Sequence, residues 1–168
     1  KDYFVDEENI ALLQHEMEPG DIMLQRRNWH LSNIGIPGFW THAALYTGTL
    51  SDMSEYFEPL FPFDDYVDFD SYMAGEFPEV YDQYTELNDD NDQYSVIESI
   101  EPGVVLQSLN DSAGADFVVS LRPRLTKEEK LLSLSKAFTH YGKPYDYNFD
   151  FGTRDTLVCS ELIYDSYF

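Results

Sequence analysis

Tyr94-Ser95-Val96-Ile97-Glu98-Ser99-Ile100, then Glu101-Pro102-Gly103, then Val104-Val105-Leu106-Gln107-Ser108-Leu109 reads as two strands joined by a tight turn. β-Branched and apolar residues fill both runs, and the Pro-Gly pair interrupts them. Strands joined by so short a turn must be antiparallel. A third run of the same character spans Phe117 to Leu121. Within the first run, Val96, Glu98 and Ile100 share a face, while Ser95 and Ser99 flank Ile97 on the other. Glu98 therefore falls on the more apolar side, where a carboxylate needs a partner. If the faces are reversed, it simply points to solvent.

Working outward, strands are expected at Ile22 to Gln25 and at about Trp40 to Thr47, the latter closed by Gly48. Ahead of them, Asp6 to Met17 reads as a helix with Asp6 as N-cap and Ile10, Leu12 and Leu13 as its buried set. Asn28 to Phe39 is a loop rich in Asn, Gly and Pro. On the C-terminal side, Thr126-Lys127-Glu128-Glu129 is a capping box opening a helix with Leu131, Leu132, Leu134, Ala137 and Phe138 inward. Gly142 ends that helix, and Lys143 to Asp155 loops towards a last helix. The order is helix, two strands, insertion, three strands, two helices: an α+β fold with an antiparallel sheet packed against helices. At 168 residues the chain is one domain, long enough to bury a core.

The insertion covers about residues 51–91. It is rich in Asp, Glu, Phe and Tyr and carries no Lys or Arg; no cationic side chain occurs between Arg27 and Arg122. Without a sustained period, it predicts only short local structure. Both its ends join strands with catalytic candidates, so it is expected to overhang a cleft. Phe57, Phe61, Phe63, Tyr66 and Phe69 would pack on the domain or on substrate, and Asp64, Asp65, Asp68 and Asp70 would place a negative field at the entrance. The plainer reading is an acidic, solubilising surface.

The formal charge is −22, which argues against nucleic acid and against an anionic membrane surface as partners. Aromatic residues make up 16% and hydrophobic residues 43%, excluding a disordered tail. No run is long or apolar enough for an integral membrane segment. The first residue is Lys1, so a leader removed on export to the periplasm or cell envelope stays open. The last helix stops at Phe168 after about two turns, and a longer natural C-terminus is expected. Nothing fixes the oligomeric state.

Cys159 is the only cysteine, in Thr156-Leu157-Val158-Cys159-Ser160-Glu161-Leu162-Ile163-Tyr164. The pattern puts its sulfur in the first turn of a helix, where unpaired N–H groups and the helix dipole favour thiolate. A small buried core residue is the alternative. A thiolate nucleophile needs a base and a group to orient it. His15 reads as solvated surface, His140 as a complement to a helix dipole, and His30 as a loop residue. His42 stands apart: it shares a strand face with Trp40, Ala44 and Tyr46. It is either a core histidine satisfied by a carbonyl or the base, with Glu98 on the neighbouring strand as its partner.

Four segments then fall into a pattern: Ile36-Pro37-Gly38-Phe39-Trp40-Thr41-His42-Ala43-Ala44-Leu45-Tyr46-Thr47-Gly48, Val96-Ile97-Glu98-Ser99, Gly142-Lys143-Pro144-Tyr145-Asp146 and Val158-Cys159-Ser160-Glu161-Leu162. Together they resemble the YiiX-like family, circularly permuted members of the NlpC-type, papain-like cysteine hydrolases. The order here is His, polar residue, Cys, as in the permuted branch. The resemblance implies His42 as base, Cys159 as nucleophile and Glu98 as orienting group. It also implies that the Tyr145 hydroxyl helps bind the oxyanion. His42-Ala43-Ala44-Leu45-Tyr46-Thr47-Gly48 also matches the His-x-x-x-Tyr-x-Gly of lecithin retinol acyltransferase-like proteins, but their Asn-Cys-Glu-His motif is absent.

The implied activity is hydrolysis of an amide bond, as amidase or peptidase, in a short cell-wall peptide or an N-acyl amino-acid-like substrate. The alternatives are acyl transfer or lipid hydrolysis of the lecithin retinol acyltransferase-like type, and a non-catalytic binding module using the same cleft. No cofactor and no metal are expected. Gly-x-Ser-x-Gly, Walker, His-Glu-x-x-His and Cys-x-x-Cys motifs are all missing. The acidic run Asn88-Asp89-Asp90-Asn91-Asp92 lacks the glycine and glutamate of an EF-hand.

Overall fold

The structure, a computed structural model, describes residues 3–28, 38–147 and 156–168. Its centre is a five-stranded sheet: β1 (Asp21–Arg26), β2 (His42–Tyr46), β3 (Tyr94–Ile100), β4 (Gly103–Ser108) and β5 (Phe117–Leu121). The order across the sheet is β4-β3-β2-β1-β5, and every neighbouring pair is antiparallel. The expected α+β architecture is what forms, with β3 over the predicted residues.

Side chains alternate across the sheet, and both faces are covered. Leu45 and Ile97 point into a core with Phe57, Phe69, Leu131, Leu134, Leu157 and Leu162. Their strand neighbours Ala44, Tyr46 and Val96 point the other way, onto Met17, Met23, Leu109 and Ala113. Two-sided covering is why Ser95, Glu98 and Ser99 are buried alongside Val96 and Ile97. The face of Ser95 and Ser99 is as buried as the face of Glu98.

α1 (Glu7–Glu16) is capped by Asp6, whose carboxylate accepts from Asn9 N at 2.9 Å. Its expected buried set is only partly right: Ile10 and Leu13 lean on the second core, but Leu12 is exposed. A further short helix, α5 (Leu109–Ala113), lies between β4 and β5 and covers that same core. α6 (Lys127–Phe138) begins in the predicted capping box, with Thr126 N donating to Glu129 Oε2 and Glu129 N to Thr126 Oγ1. It buries Leu131, Leu134, Ala137 and Phe138 as expected, whereas Leu132 is exposed and Lys130 is buried in its place. Lys130 Nζ reaches the Glu18 carboxylate and the Tyr56 hydroxyl, both at 3.2 Å, which compensates the buried ammonium. α6 stops at Phe138, short of Gly142, whose φ of +79° serves the turn that follows.

The segment read as an insertion holds α2 (Leu50–Phe57), α3 (Phe69–Glu76) and α4 (Pro78–Thr85). Two of the three open in capping boxes, Thr49 with Asp52 and Asp68 with Ser71. Phe57 and Phe69 are fully buried and stack with ring centroids 5.6 Å apart. The segment leaves β2 after Tyr46 and re-enters at Tyr94, the strand ends remote from His42. The Thr47 and Tyr84 hydroxyls bond at 2.5 Å there. Of the two placements expected for its rings, on the domain or on substrate, the first is the one seen: they fill the main core against α6.

Candidate active site

Antiparallel pairing of β2 with β3 is short. Leu45 faces Ile97 and Tyr46 faces Val96, and the ladder stops there. Continued, it would set Ala43 opposite Ser99. Instead, the Ala43 backbone N–H donates to the sulfur of Cys159, and Ser99 Oγ donates to the Leu157 carbonyl at 2.6 Å. The strands thus diverge, and Leu157–Cys159 wedges between them. α7 (Cys159–Tyr167) starts from this wedge, with Leu162 anchored in the main core. Glu161 Oε2 accepts from Val158 N at 2.9 Å, capping the first turn. The sulfur also accepts the Ser160 N–H.

His42 opens β2 on the same sheet face as Ala44, Val96 and Glu98. Its Nε2 donates to Glu98 Oε2 at 2.5 Å. The Glu98 side chain is 3% exposed, so burial of the carboxylate is compensated by this contact. With Nε2 committed, Nδ1 is the nitrogen left for the hydrogen bond between His42 and Cys159. The structure therefore brings Cys159, His42 and Glu98 into one chain of hydrogen bonds.

The electrostatics follow from that chain. Burial alone opposes charge on both the ring and the sulfur. For His42 it is outweighed by the hydrogen bonds to Cys159 and Glu98, which raise the imidazole pKa to about 9. For Cys159, burial pushes the thiol up, but the bond to His42, its positive charge, and the N–H groups of Ala43 and Ser160 bring it below the ordinary thiol value. The favoured pair is thiolate and imidazolium.

Tyr145 is brought to the same place by backbone. Gly103 pairs with Pro144, and the two segments approach so closely that a Cβ at Gly103 would lie 2.2 Å from the Lys143 carbonyl oxygen. Tyr145 N donates to Pro102 O at 2.9 Å, and Tyr145 bridges to Leu157, two residues before the cysteine. Burial first, and then the negative sulfur, push the Tyr145 hydroxyl pKa up. Its ring packs edge-on to the exposed Tyr147 at 5.3 Å.

The other histidines lie elsewhere. His15 is exposed, as expected, and bonds Glu16. His140 does not merely complement a helix end: it is buried, and its Nε2 pairs with Asp165 of α7 at 2.7 Å. His30 lies outside the described residues. Sequence reasoning missed Ser99 and the Ala43 N–H. A serine on an otherwise buried strand was the available signal for the first; the second is backbone and left none. Among the described residues, no group of three or more His, Cys, Asp or Glu side chains could hold a metal ion. Nor is any helix among them long and apolar enough to cross a membrane.

A family model described as "Permuted papain-like amidase enzyme, YaeF/YiiX, C92 family" matches residues 16–168. No curated protein and no solved structure matches significantly. With nearly its whole length matched, the chain belongs to this family of permuted papain-like cysteine amidases.

Proposed function

We propose, with that membership as premise, that the chain hydrolyses an amide bond through Cys159 as nucleophile, His42 as base and acid, and Glu98 as the group that orients His42. One observation carries the reading: a hydrogen-bonded Cys159–His42–Glu98 chain whose sulfur sits at a helix N-terminus. The Cys159 thiolate attacks the acyl carbonyl, and the carbon–nitrogen bond breaks as His42 Nδ1–H protonates the leaving amine. Water, deprotonated by His42, then releases the acid from the thioester. Glu98 holds Nε2–H throughout, fixing the ring's tautomer and offsetting its charge. The Cys159 N–H, a first-turn donor without an intrahelical acceptor, and the Tyr145 hydroxyl stabilise the oxyanion. The substrate is a short cell-wall peptide or an N-acyl amino acid.

The test is turnover of a panel of both substrate classes, with mass spectrometry of the enzyme for an acyl adduct. The expected result is release of free acid, an adduct on Cys159, and no turnover by Cys159→Ala. Transfer of the acyl group to an added amine in preference to water would make the protein an acyltransferase. A reactive thiol with neither adduct nor turnover across the panel would make it a binding module.

A further inference from the structure

Gln25 lies in β1 directly opposite His42 in the antiparallel register. Residues so paired share a sheet face, with Cβ atoms about 4.5–5.5 Å apart. Glu98 stands on β3 at one flank of His42, so Gln25 on β1 occupies the other. The glutamine is 1% exposed. Its Nε2 donates to Ser112 Oγ at 3.0 Å, which anchors the amide to α5. Its Oε1 is buried and accepts from nothing among the described residues.

A buried carbonyl without a donor costs about 1–3 kcal/mol, and an apolar side chain of the same shape avoids that cost. Turning the amide over does not remove it, since a buried N–H₂ would then lack an acceptor. A carbonyl dipole beside a cationic ring, by contrast, favours the charged form. We infer that Gln25 is a positioning residue for His42: Ser112 fixes its amide so that the carbonyl oxygen supports the imidazolium on the flank that Glu98 does not reach. Gln25 touches neither substrate nor reacting atoms; it acts through His42, and the inference rests on His42 being the base.

Gln25→Met keeps the volume and removes the carbonyl, and Ser112→Ala keeps the carbonyl and removes its anchor. For both, the titration of the His42 ring by NMR and the pH profile of Cys159 alkylation by iodoacetamide are measured beside the thermal midpoint. Gln25→Met is expected to lower the pH at which His42 loses its proton by roughly half to one unit and to move alkylation upward. Its midpoint should change little, because an unpaired acceptor has gone while the buried Ser112 hydroxyl loses its donor. Ser112→Ala should shift both titrations the same way, by less, and stands as the test if Gln25→Met does not fold. Unmoved titrations overturn the inference, whether the midpoint falls or not. His42→Ala separates the two layers. If it too leaves the alkylation profile in place, the reading of His42 as base fails; if it alone moves the profile, only the role of Gln25 falls.

Discussion

Replacing Glu98 by Gln removes one negative charge from a buried contact and leaves an amide oxygen able to accept the His42 N–H. The rise of the His42 pKa from 6.5 to about 9 corresponds to about 3 kcal/mol in favour of the protonated ring. Burial works against this rise, and Cys159 and Glu98 both contribute to it, each by hydrogen bond and by charge. Glu98 can therefore account for only part, roughly 1–2 kcal/mol, or about one pH unit. Because the folded pKa is the raised one, the protonated ring is present at low pH and is lost as pH climbs through about 9. Glu98→Gln should bring the alkaline limb of kcat/KM down towards pH 8 while the acid limb, set by Cys159, moves up slightly. The window narrows from both sides; separately, the looser hold of an uncharged partner on the ring lowers activity near pH 7 about 10-fold without abolishing it. Measuring kcat/KM from pH 5 to 10 for wild type and variant, with far-ultraviolet circular dichroism for the fold, gives the answer. An unmoved alkaline limb in a folded variant would refute Glu98 as the partner of His42, as would a loss as complete as that of Cys159→Ala.

Three other outcomes are expected. His42→Ala should move the iodoacetamide profile of Cys159 upward towards the ordinary thiol pKa of about 8.5, read as rate against pH. Phe69→Ala should cost about 3–5 kcal/mol in urea denaturation, because the ring is fully buried; a solvated appendage would lose under 1 kcal/mol. Replacing Asp64, Asp65, Asp68 and Asp70 together by Asn should leave unchanged both the selectivity between cationic and neutral substrates and its salt dependence. This follows from attachment of their segment at the strand ends remote from His42.

The features legible in the sequence were those written within a few residues. The hairpin of Tyr94 to Leu109, the caps at Asp6 and Thr126, and the local settings of His42 and Cys159 all belong to this class. Those missed depend on distant partners. Lys130 is buried because Glu18 and Tyr56 meet it from far along the chain. Leu132 is exposed because it lies on the side of α6 opposite Leu134, Ala137 and Phe138. The helices between β2 and β3 are eight residues each, too short for a hydrophobic period to register, yet two of them advertised capping boxes at Thr49 and Asp68. The wedge of Leu157–Cys159 between β2 and β3 could not be read at all. It consists of backbone donors and of a strand pairing that ends early.

That wedge makes the site a gauge of alignment between the two halves of the interior. Cys159 rides on a helix held by Leu162 in the core on one side of the sheet. His42 and Glu98 share their face with Ala44 and Val96, held in the core on the other. A loosening of either core slides one member of the pair relative to the other, and proton transfer tolerates little slippage. Cavities opened at Met23 or Leu109 should thus slow acylation in a protein that still melts cooperatively. Distance from the sulfur will then be a poor guide to which substitutions silence it.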